Sequence, residues 1–151
     1  MKVSKIMTKT VGFCQPEDNL AEAVKIMWEL DCGIVPVVNR KKEVIGTITD
    51  RDISVSVFLQ NKPPTEILLD DVMTEKVFIC SEDEKIESAL KKMRKNQVKR
   101  LPVVKENGKL CGIISITDIL LAAREEKSLR KKIFKTLEEI SKPRSIILKE
   151  I

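Results

Sequence analysis

The stretch that decides the fold is G-I-V-P-V-V-N-R-K-K-E-V-I-G-T-I-T-D-R-D-I, residues 33–53. Its pattern returns at residues 99–119 as K-R-L-P-V-V-K-E-N-G-K-L-C-G-I-I-S-I-T-D-I, with a constant offset of 66 residues and no gap. Proline, a Val-Val pair, glycine, a hydroxyl residue and aspartate recur in the same order. We therefore predict two copies of one supersecondary unit, which a chain of 151 residues can build around a shared core.

Each copy predicts a strand, a turn, a second strand and a helix. Residues 34–38 and 44–48 are short β-branched runs on either side of a charged turn, and the second copy turns on Asn-Gly at residues 107–108, a strong hairpin signal. Thr49 and Ser115 then stand where a helix N-cap is expected. The junction between the second strand and the helix is therefore the expected chemical end of each unit.

Shorter matched segments precede each hairpin. Residues 11–14 and 77–80 predict short strands, each followed by an amphipathic helix. Residues 3–7 and 67–73 predict single helical turns, which we expect to close each repeat from the front. Trp28 lies beside the apolar stripe of the first long helix, and we interpret it as edge packing, with an oligomer contact as the alternative.

Composition removes many functional classes. Histidine is absent, so none can serve as a general base, a zinc ligand or a pH switch near neutrality. The chain has no Walker loop, dinucleotide fingerprint or nucleophile elbow, so we expect no enzyme activity. The four cysteines form no C-x-x-C pair and no secretory segment follows Met1, which indicates reduced thiols, no metal site and a cytoplasmic location. Apolar runs of about five residues predict no membrane span.

The predicted domain organisation is repeat 1 at 1–61, a linker at 62–65, repeat 2 at 66–123 and a tail at 124–151. Residues 121–151 hold 9 Lys/Arg against 5 Asp/Glu, so the tail is basic whereas the repeats are nearly neutral. Its amphipathic part, with Leu129, Ile133, Leu137 and Ile140, predicts a helix that Pro143 ends. We expect that helix to pack across its own module. The alternative is that its basic face touches an acidic partner through Arg130, Lys131, Lys132 and Lys135.

The two copies of h-M-T, strand, capped helix, x-P-V-V and G-h-h-[ST]-x-x-D resemble the CBS domain, and the pair resembles a CBS tandem, or Bateman module, over residues 4–123. The resemblance implies a mixed α/β (α+β) fold, in which two β-α-β-β-α repeats pack as a pseudo-two-fold disc. The tail adds a C-terminal helical extension. The resemblance also implies a regulatory module, often a homodimer, that binds AMP, ADP, ATP or in some cases S-adenosylmethionine in clefts between the repeats.

The residues of the strand-to-helix junction fit such a ligand. The Thr49 hydroxyl and the unpaired amides of the first helical turn suit a phosphate, and Arg51 adds positive charge. Asp52 can accept hydrogen bonds from a ribose 2′,3′-diol. In the family pattern, Ser115 and Asp118 hold the same positions in repeat 2. A T-x-x-D spacing is also typical of a capping box, and spacing alone does not separate the two interpretations.

Apolar residues beside the junctions could form the slot for a purine. Each of them also fits plain core packing. They are Ile34, Val35, Pro36, Val11 and Phe13 in repeat 1, and Leu101, Pro102, Val77 and Ile79 in repeat 2.

The two clefts should differ, because Arg51 is replaced by Thr117 whereas Lys99 and Arg100 add charge only in repeat 2. We expect one tight site and one weak or empty site.

From these features we predict a non-catalytic, cytoplasmic regulatory module that senses adenosine nucleotides and needs no cofactor. We expect it to form a homodimer and to act on an unidentified protein partner. The first alternative is a sensor of S-adenosylmethionine or methylthioadenosine. A lower-ranked alternative is nucleic-acid binding through the basic tail, because Lys and Arg neutralise backbone phosphates without reading sequence.

Overall fold

The computed structural model describes residues 1–124 and 126–143, so the last part of the predicted tail, residues 144–151, lies outside the described residues. The helices are α1 (Leu20–Glu29), α2 (Asp50–Gln60), α3 (Leu69–Val72), α4 (Ile86–Asn96), α5 (Ile116–Ala122) and α6 (Lys127–Ser141). The strands are β1 (Ile34–Val38), β2 (Val44–Thr49), β3 (Cys80–Ser81), β4 (Arg100–Val104) and β5 (Leu110–Ser115). Short 3₁₀ turns lie at Val3–Lys5 and Pro64–Glu66. Within the described ranges, no helix combines the length and apolar character that crossing a bilayer requires.

Both predicted hairpins are present. Strands β1 and β2 pair antiparallel, as do β4 and β5, and the two ladders have the same register. Each carries an irregularity at the same place, between Val37 and Val38 in one hairpin and between Val103 and Val104 in the other. Gly108 has a φ of 79°, which suits the second turn because glycine adopts this region without steric cost. The sequence repeat is therefore a structural repeat.

The strands predicted at residues 11–14 and 77–80 are shorter than expected. In the first segment only Cys14 pairs with its repeat, in parallel with Val37, and in the second only β3 does so. The reason is that each segment starts on the other repeat: Thr8 pairs with Ile113, and Thr74 pairs with Thr47. Each segment crosses from one hairpin to the other, so only its far end reaches parallel register.

The two short helical turns are exchanged between the repeats. Val3 belongs to the core of repeat 2, whereas Ile67 and Leu69 belong to the core of repeat 1. The exchange is fixed by main-chain bonds, since the Val3 amide donates to the Glu84 carbonyl (2.8 Å) and the Leu69 amide donates to the Asp18 carbonyl (2.8 Å). The expectation that each turn closes its own repeat is therefore wrong. Neither repeat has a complete core without the other.

The recurring glycine of the motif makes room for this exchange. A Cβ at Gly46 would lie 2.7 Å from the Met73 sulfur, and a Cβ at Gly112 would lie 2.6 Å from the Met7 sulfur. Both distances are well inside van der Waals contact. Gly112 is the tighter site, because the main-chain oxygen of Thr8 is also 3.0 Å away. A side chain at either position would force the methionine to move, and at Gly112 it would also crowd the main chain of the crossing segment.

The C-terminal helix packs across its own module, as predicted. Helix α6 lies against α4 and α5, and it buries Leu129 and Ile133 in the core of repeat 2. Thr136 is also buried, and its hydroxyl donates to the Lys132 carbonyl (2.9 Å). Leu137 is 36% exposed, so it does not point inward as expected. The helix ends at Ser141, two residues before Pro143.

The prediction that Trp28 packs at the edge of the core is wrong. The side chain is 86% exposed, although it projects from α1, whose other face supplies Leu20 and Ala23 to the core of repeat 1. Arg94, at the same position of repeat 2, borders a groove against α6. Repeat 1 is followed by the inter-repeat linker, so nothing equivalent to α6 follows α2 in the chain.

Candidate functional site

The predicted hydroxyl residues lie at the two strand-to-helix junctions. Thr49 ends β2 and caps α2, and Ser115 ends β5 and caps α5. Each has the extended backbone expected of an N-cap, with ψ near 160°. Across the hairpins, Thr49 stands opposite Ile34 and Ser115 stands opposite Arg100. The two junctions are therefore built alike and carry different neighbours.

A complete capping box forms at both junctions. The Asp52 amide donates to the Thr49 hydroxyl (3.2 Å), and Asp52 Oδ2 accepts from the Thr49 amide (2.9 Å). Asp118 Oδ2 accepts from both the amide and the hydroxyl of Ser115, each at 2.7 Å, and the Asp118 amide donates back to that hydroxyl (3.1 Å). The capping interpretation of the T-x-x-D spacing is therefore confirmed.

Capping uses only one oxygen of each carboxylate. Oδ1 of Asp52 and Oδ1 of Asp118 accept no hydrogen bond from any described residue, and both side chains are half-buried. A carboxylate oxygen has two acceptor sites, so each aspartate keeps capacity for further donors. Capping and ligand binding are thus compatible at the same residue.

The expectation of free amides at the start of α2 is wrong. The Asp50 amide donates to the Gly33 carbonyl (3.3 Å), the Arg51 amide to Asp50 Oδ1 (2.8 Å) and the Asp52 amide to the Thr49 hydroxyl. The first turn of α2 therefore has no amide left for an anion.

In repeat 2, one of the first three amides of the corresponding helix, α5, has a different hydrogen-bonding state. The Ile116 amide donates to the Lys99 carbonyl (2.9 Å), but the Thr117 amide has no partner among the described residues. Ile116, which replaces Asp50, is buried and has no carboxylate to offer.

Asp50 is the residue that the sequence argument missed. Its Oδ2 lies 3.1 Å from the position a Cβ would take on Gly33, so the carboxylate lies directly over that glycine. The available signal was the change from Asp50 to Ile116, together with the change from Gly33 to Lys99. The two positions are neighbours in space, since a Cβ at position 33 would crowd the Asp50 carboxylate.

The apolar candidates divide between two faces of the hairpins. Ile34 and Pro36 share a face with Thr49, because alternate residues along a strand point the same way. Pro102 shares a face with Ser115 in the same manner. Val35 and Leu101 point to the opposite faces and are fully buried in the two cores. Only main-chain atoms of these two residues are available to a ligand.

The residues proposed for the other side of the purine slot are partly exposed to solvent. Val11 and Val77 are half-buried, whereas Phe13 and Ile79 are each 39% exposed. The Phe13 ring lies 5.4 Å from the Lys42 ammonium, which belongs to the turn of the first hairpin. That turn is at the end of the hairpin opposite Thr49, so Phe13 is directed away from the junction.

The charged candidates all lie on the surface. Arg51, Lys99 and Arg100 are exposed and form no ion pair with a described residue. Repeat 2 therefore carries two cations at the start of β4 that form no ion pair with a described residue, whereas repeat 1 carries Arg51 beside the Asp50 carboxylate.

Two shallow depressions lie away from these junctions. One, of about 560 Å³, lies between α4 and α6, and the other, of about 440 Å³, lies beside the turn between β4 and β5. Their linings share no residue with the predicted site. They are formed by Arg94, Lys95, Gln97, Lys135, Glu138 and Glu139, and by Glu82, Asp83, Lys105, Glu106 and Asn107.

The cysteines are free thiols with packing roles. Cys14 and Cys80 are buried at equivalent positions, and burial is the main cause that raises the pKa of each thiol to about 12. Over the residues that the structure describes, no three Cys, Asp or Glu side chains are grouped so that they could hold a metal ion.

This architecture defines a class of protein. The CBS domain family model matches residues 3–57 and again residues 69–125, one match on each repeat. The chain therefore belongs to the CBS domain family and contains a pair of these domains.

Relatives carry the same pair in chains of different length. Uncharacterized protein MK0525 of Methanopyrus kandleri is 36% identical over 136 residues, which cover 87% of this chain and 69% of that protein. Inosine-5′-monophosphate dehydrogenase of Methanocaldococcus jannaschii is 33% identical over 131 residues, but the match covers only 25% of its length. In that enzyme the matched region is a minor part of the chain.

A solved structure has the same fold. The CBS domain pair of protein MJ0100, crystallised in complex with 5′-methylthioadenosine and S-adenosyl-L-methionine, superposes with a TM-score of 0.72 at 26% identity. The match covers 83% of this chain and 98% of that one. The predicted mixed helix-and-strand fold of a CBS pair, with an added C-terminal helix, is confirmed.

Proposed function

We propose that this chain is a non-catalytic regulatory module that binds an adenosine nucleotide, AMP, ADP or ATP, at the strand-to-helix junctions of its two repeats. The observation that carries the proposal is the doubled capping box, in which Asp52 and Asp118 each cap a helix with Oδ2 and leave Oδ1 without a partner. The structure of the MJ0100 pair with two adenosine derivatives supports adenosine as the recognised group.

The aspartates supply recognition of the sugar. A carboxylate is an acceptor only, and the vicinal hydroxyls of ribose are donors at a spacing that one carboxyl group can serve. Capping fixes the orientation of the carboxylate before the ligand arrives, so little side-chain entropy is lost on binding. Ile34 and Pro36 in repeat 1, and Pro102 in repeat 2, offer apolar contact on the same face.

The repeat-2 junction is the better phosphate site. Lys99 and Arg100 are exposed cations without ion-pair partners among the described residues, and the Thr117 amide is free. In repeat 1 the corresponding Arg51 amide is held by Asp50, whose negative charge repels phosphate. We infer that AMP, ADP or ATP binds tightly in repeat 2 and weakly or not at all in repeat 1.

A second candidate is a sensor of S-adenosylmethionine or methylthioadenosine. The MJ0100 complex favours it, and so does Asp50, because a carboxylate near the repeat-1 junction attracts a cationic ligand and tolerates a neutral one. The two candidates share adenosine and differ in the charge of its 5′ substituent.

We further propose that the module works in the cytoplasm and passes its ligand state to a protein partner. The family occurs inside enzymes as a minor part of the chain, as in the dehydrogenase relative, which is consistent with a regulatory role.

A thermal-shift panel tests the proposal. Purified protein is melted with AMP, ADP, ATP, S-adenosylmethionine, methylthioadenosine and NAD. A ligand at about 100 times its dissociation constant stabilises by about 2.7 kcal/mol, which raises Tm by about 8 °C in a domain of this size. We expect the phosphorylated nucleotides to give the largest shifts.

Matched variants locate the binding. Asp118→Asn keeps an oxygen for the cap but removes the charge, so a binding constant weakened at least about tenfold should reduce the shift by about half or more. Asp83→Asn, a change at an exposed carboxylate paired with Lys2, should keep it. If no adenosine compound shifts Tm, or if Asp118→Asn melts with the full shift, the proposed function is wrong.

A further inference from the structure

Helix α6 is tied at both ends to elements that form the repeat-2 junction. At its start, the Arg130 guanidinium donates to the carbonyls of Ala123 and Arg124, the residues that follow α5. Near its end, the carbonyl of Glu139 accepts a hydrogen bond (3.0 Å) from Nε2 of Gln97, the residue that follows α4. The helix therefore reaches from the end of α5 to the end of α4.

The same two elements meet again at the junction itself. Helix α5 begins at Ile116, whose amide donates to the Lys99 carbonyl (2.9 Å). Lys99 lies only two residues beyond Gln97 in the chain. A closed path results: α5 leads from the junction to α6, α6 returns to Gln97, and residues 97–99 lead back to the junction. We call α5, α6 and residues 97–99 the repeat-2 frame.

Repeat 1 has the same junction without such a frame. The Asp50 amide donates to the Gly33 carbonyl, but this bond is 3.3 Å long, against 2.9 Å for its counterpart in repeat 2. Helix α2 is followed by the inter-repeat linker, so none of the described elements of repeat 1 holds the place that α6 holds in repeat 2. The shorter bond thus occurs in the repeat that has the frame.

Gln97 has a backbone conformation that its residue type disfavours. Its φ is 52° and its ψ is 43°, in the left-handed region, which residues with a Cβ rarely adopt. Conformations of this kind persist where surrounding contacts hold them. The hydrogen bond from the Gln97 side chain to α6 is such a contact. It fixes the direction in which the chain leaves α4 and enters β4.

We propose that Gln97 is a positioning residue for the repeat-2 ligand site, through which α6 holds Lys99 and Arg100 in place for the ligand. The inference rests on the proposed function, which puts an anionic ligand beside these two cations. Both side chains are exposed and form no ion pair with a described residue, so the main chain that follows Gln97 sets where they begin. A main chain fixed in advance lowers the cost of ordering them on binding.

The frame also works in the opposite direction. Coupling between two sites is reciprocal in free energy, so a ligand that fixes Lys99 also tightens the contact between Gln97 and α6. Helix α6 is therefore the element through which repeat 2 reports its ligand state to the rest of the surface.

The Gln97→Gly variant separates positioning from stability. Glycine adopts the left-handed conformation without steric cost, so the turn is kept while the bond to Glu139 is lost. In the full chain we expect the Ile116 amide to exchange with solvent about fivefold faster, the factor that corresponds to loss of one ordinary hydrogen bond. The Ile113 amide on β5, which donates to the Thr8 carbonyl, is the internal reference and should not change.

Binding supplies the second measurement. AMP should bind Gln97→Gly about fivefold more weakly than wild type in calorimetric titration. Its Tm should stay within about 2 °C of wild type, because relief of the left-handed strain offsets the lost bond. Asp31→Gly is the matched control, since it makes the same change at a left-handed position of repeat 1 (φ 48°). It should leave the AMP affinity and the Ile116 exchange rate at their wild-type values.

Two results would overturn the inference: an unchanged Ile116 exchange rate in Gln97→Gly, or an AMP affinity of that variant equal to that of wild type. Failure of the proposed function would look different, because wild type itself would then bind no AMP. Faster Ile116 exchange in Gln97→Gly would in that case still show that α6 positions the repeat-2 junction.

Discussion

Replacing the two capping aspartates by alanine should destabilise the protein to different degrees. Asp52 Oδ2 accepts one hydrogen bond, from the Thr49 amide, whereas Asp118 Oδ2 accepts two, from the amide and the hydroxyl of Ser115. Bonds to a charged group contribute about 1.5 to 3 kcal/mol when buried, and half-exposure reduces each to about 1 kcal/mol. Asp52→Ala should therefore cost about 1 kcal/mol and Asp118→Ala about 2 kcal/mol.

Urea unfolding followed by circular dichroism measures both losses, with Asp52→Asn and Asp118→Asn as controls that keep an acceptor oxygen. In thermal melts of the same proteins, the alanine variants at positions 52 and 118 should have Tm values about 3 °C and 6 °C below that of wild type. The asparagine variants should lose less than half as much, because the cap persists and only charge is removed. Equal losses for the two alanine variants, or a larger loss for Asp52→Ala, would refute the reasoning from hydrogen-bond number.

Three further predictions concern the exchange, pH and thiols. Gly112→Ala should lower stability by about 1 to 3 kcal/mol in urea unfolding, because the added Cβ meets the Met7 sulfur; unchanged stability would show that the crossing segment is not fixed there. Burial raises the pKa of Glu84, but bonds from Lys92, the Ser81 amide and the Ser88 hydroxyl outweigh it and hold the pKa below 4.5. The ionised Glu84 carboxylate therefore stabilises the fold above pH 4.5, and this stabilisation is lost as pH falls through the lowered pKa. In Glu84→Gln the free energy of unfolding should therefore fall less steeply on acidification than in wild type, and an equally steep fall would contradict this. The Cys14 thiol, with its pKa raised to about 12 by burial, should react with a thiol reagent only on unfolding, and fast labelling of the native protein would argue against a fixed core.

Local chemistry in this chain is visible from the sequence. Thr49 and Ser115 are N-caps because a hydroxyl residue follows an apolar strand in both copies, and the hairpins follow from β-branched runs around polar turns. These features depend on short stretches of neighbouring residues, since even the hairpin partners Ile34 and Thr49 belong to one continuous segment. The constant offset then extends each inference to the second copy.

Contacts between segments that are distant in the sequence could not be predicted from it. Nothing in residues 3–7 shows which repeat they complete, because the two copies have nearly identical apolar patterns, and Val3 in fact packs in repeat 2. The bond from the Arg51 amide to Asp50 was missed because a first-turn aspartate is ordinarily assigned to the helix dipole. The exposure of Trp28 was missed because helical spacing places this residue beside the apolar stripe of α1 without showing whether another element covers it.

Calorimetric titration of AMP into wild type, Asp118→Asn and Asp52→Asn tests the proposed binding site most directly. We predict one dominant site per chain, which weakens at least about tenfold in Asp118→Asn and changes less than about twofold in Asp52→Asn. Two identical sites, or AMP binding that is unaffected by Asp118→Asn, would contradict the assignment of the nucleotide to the repeat-2 junction.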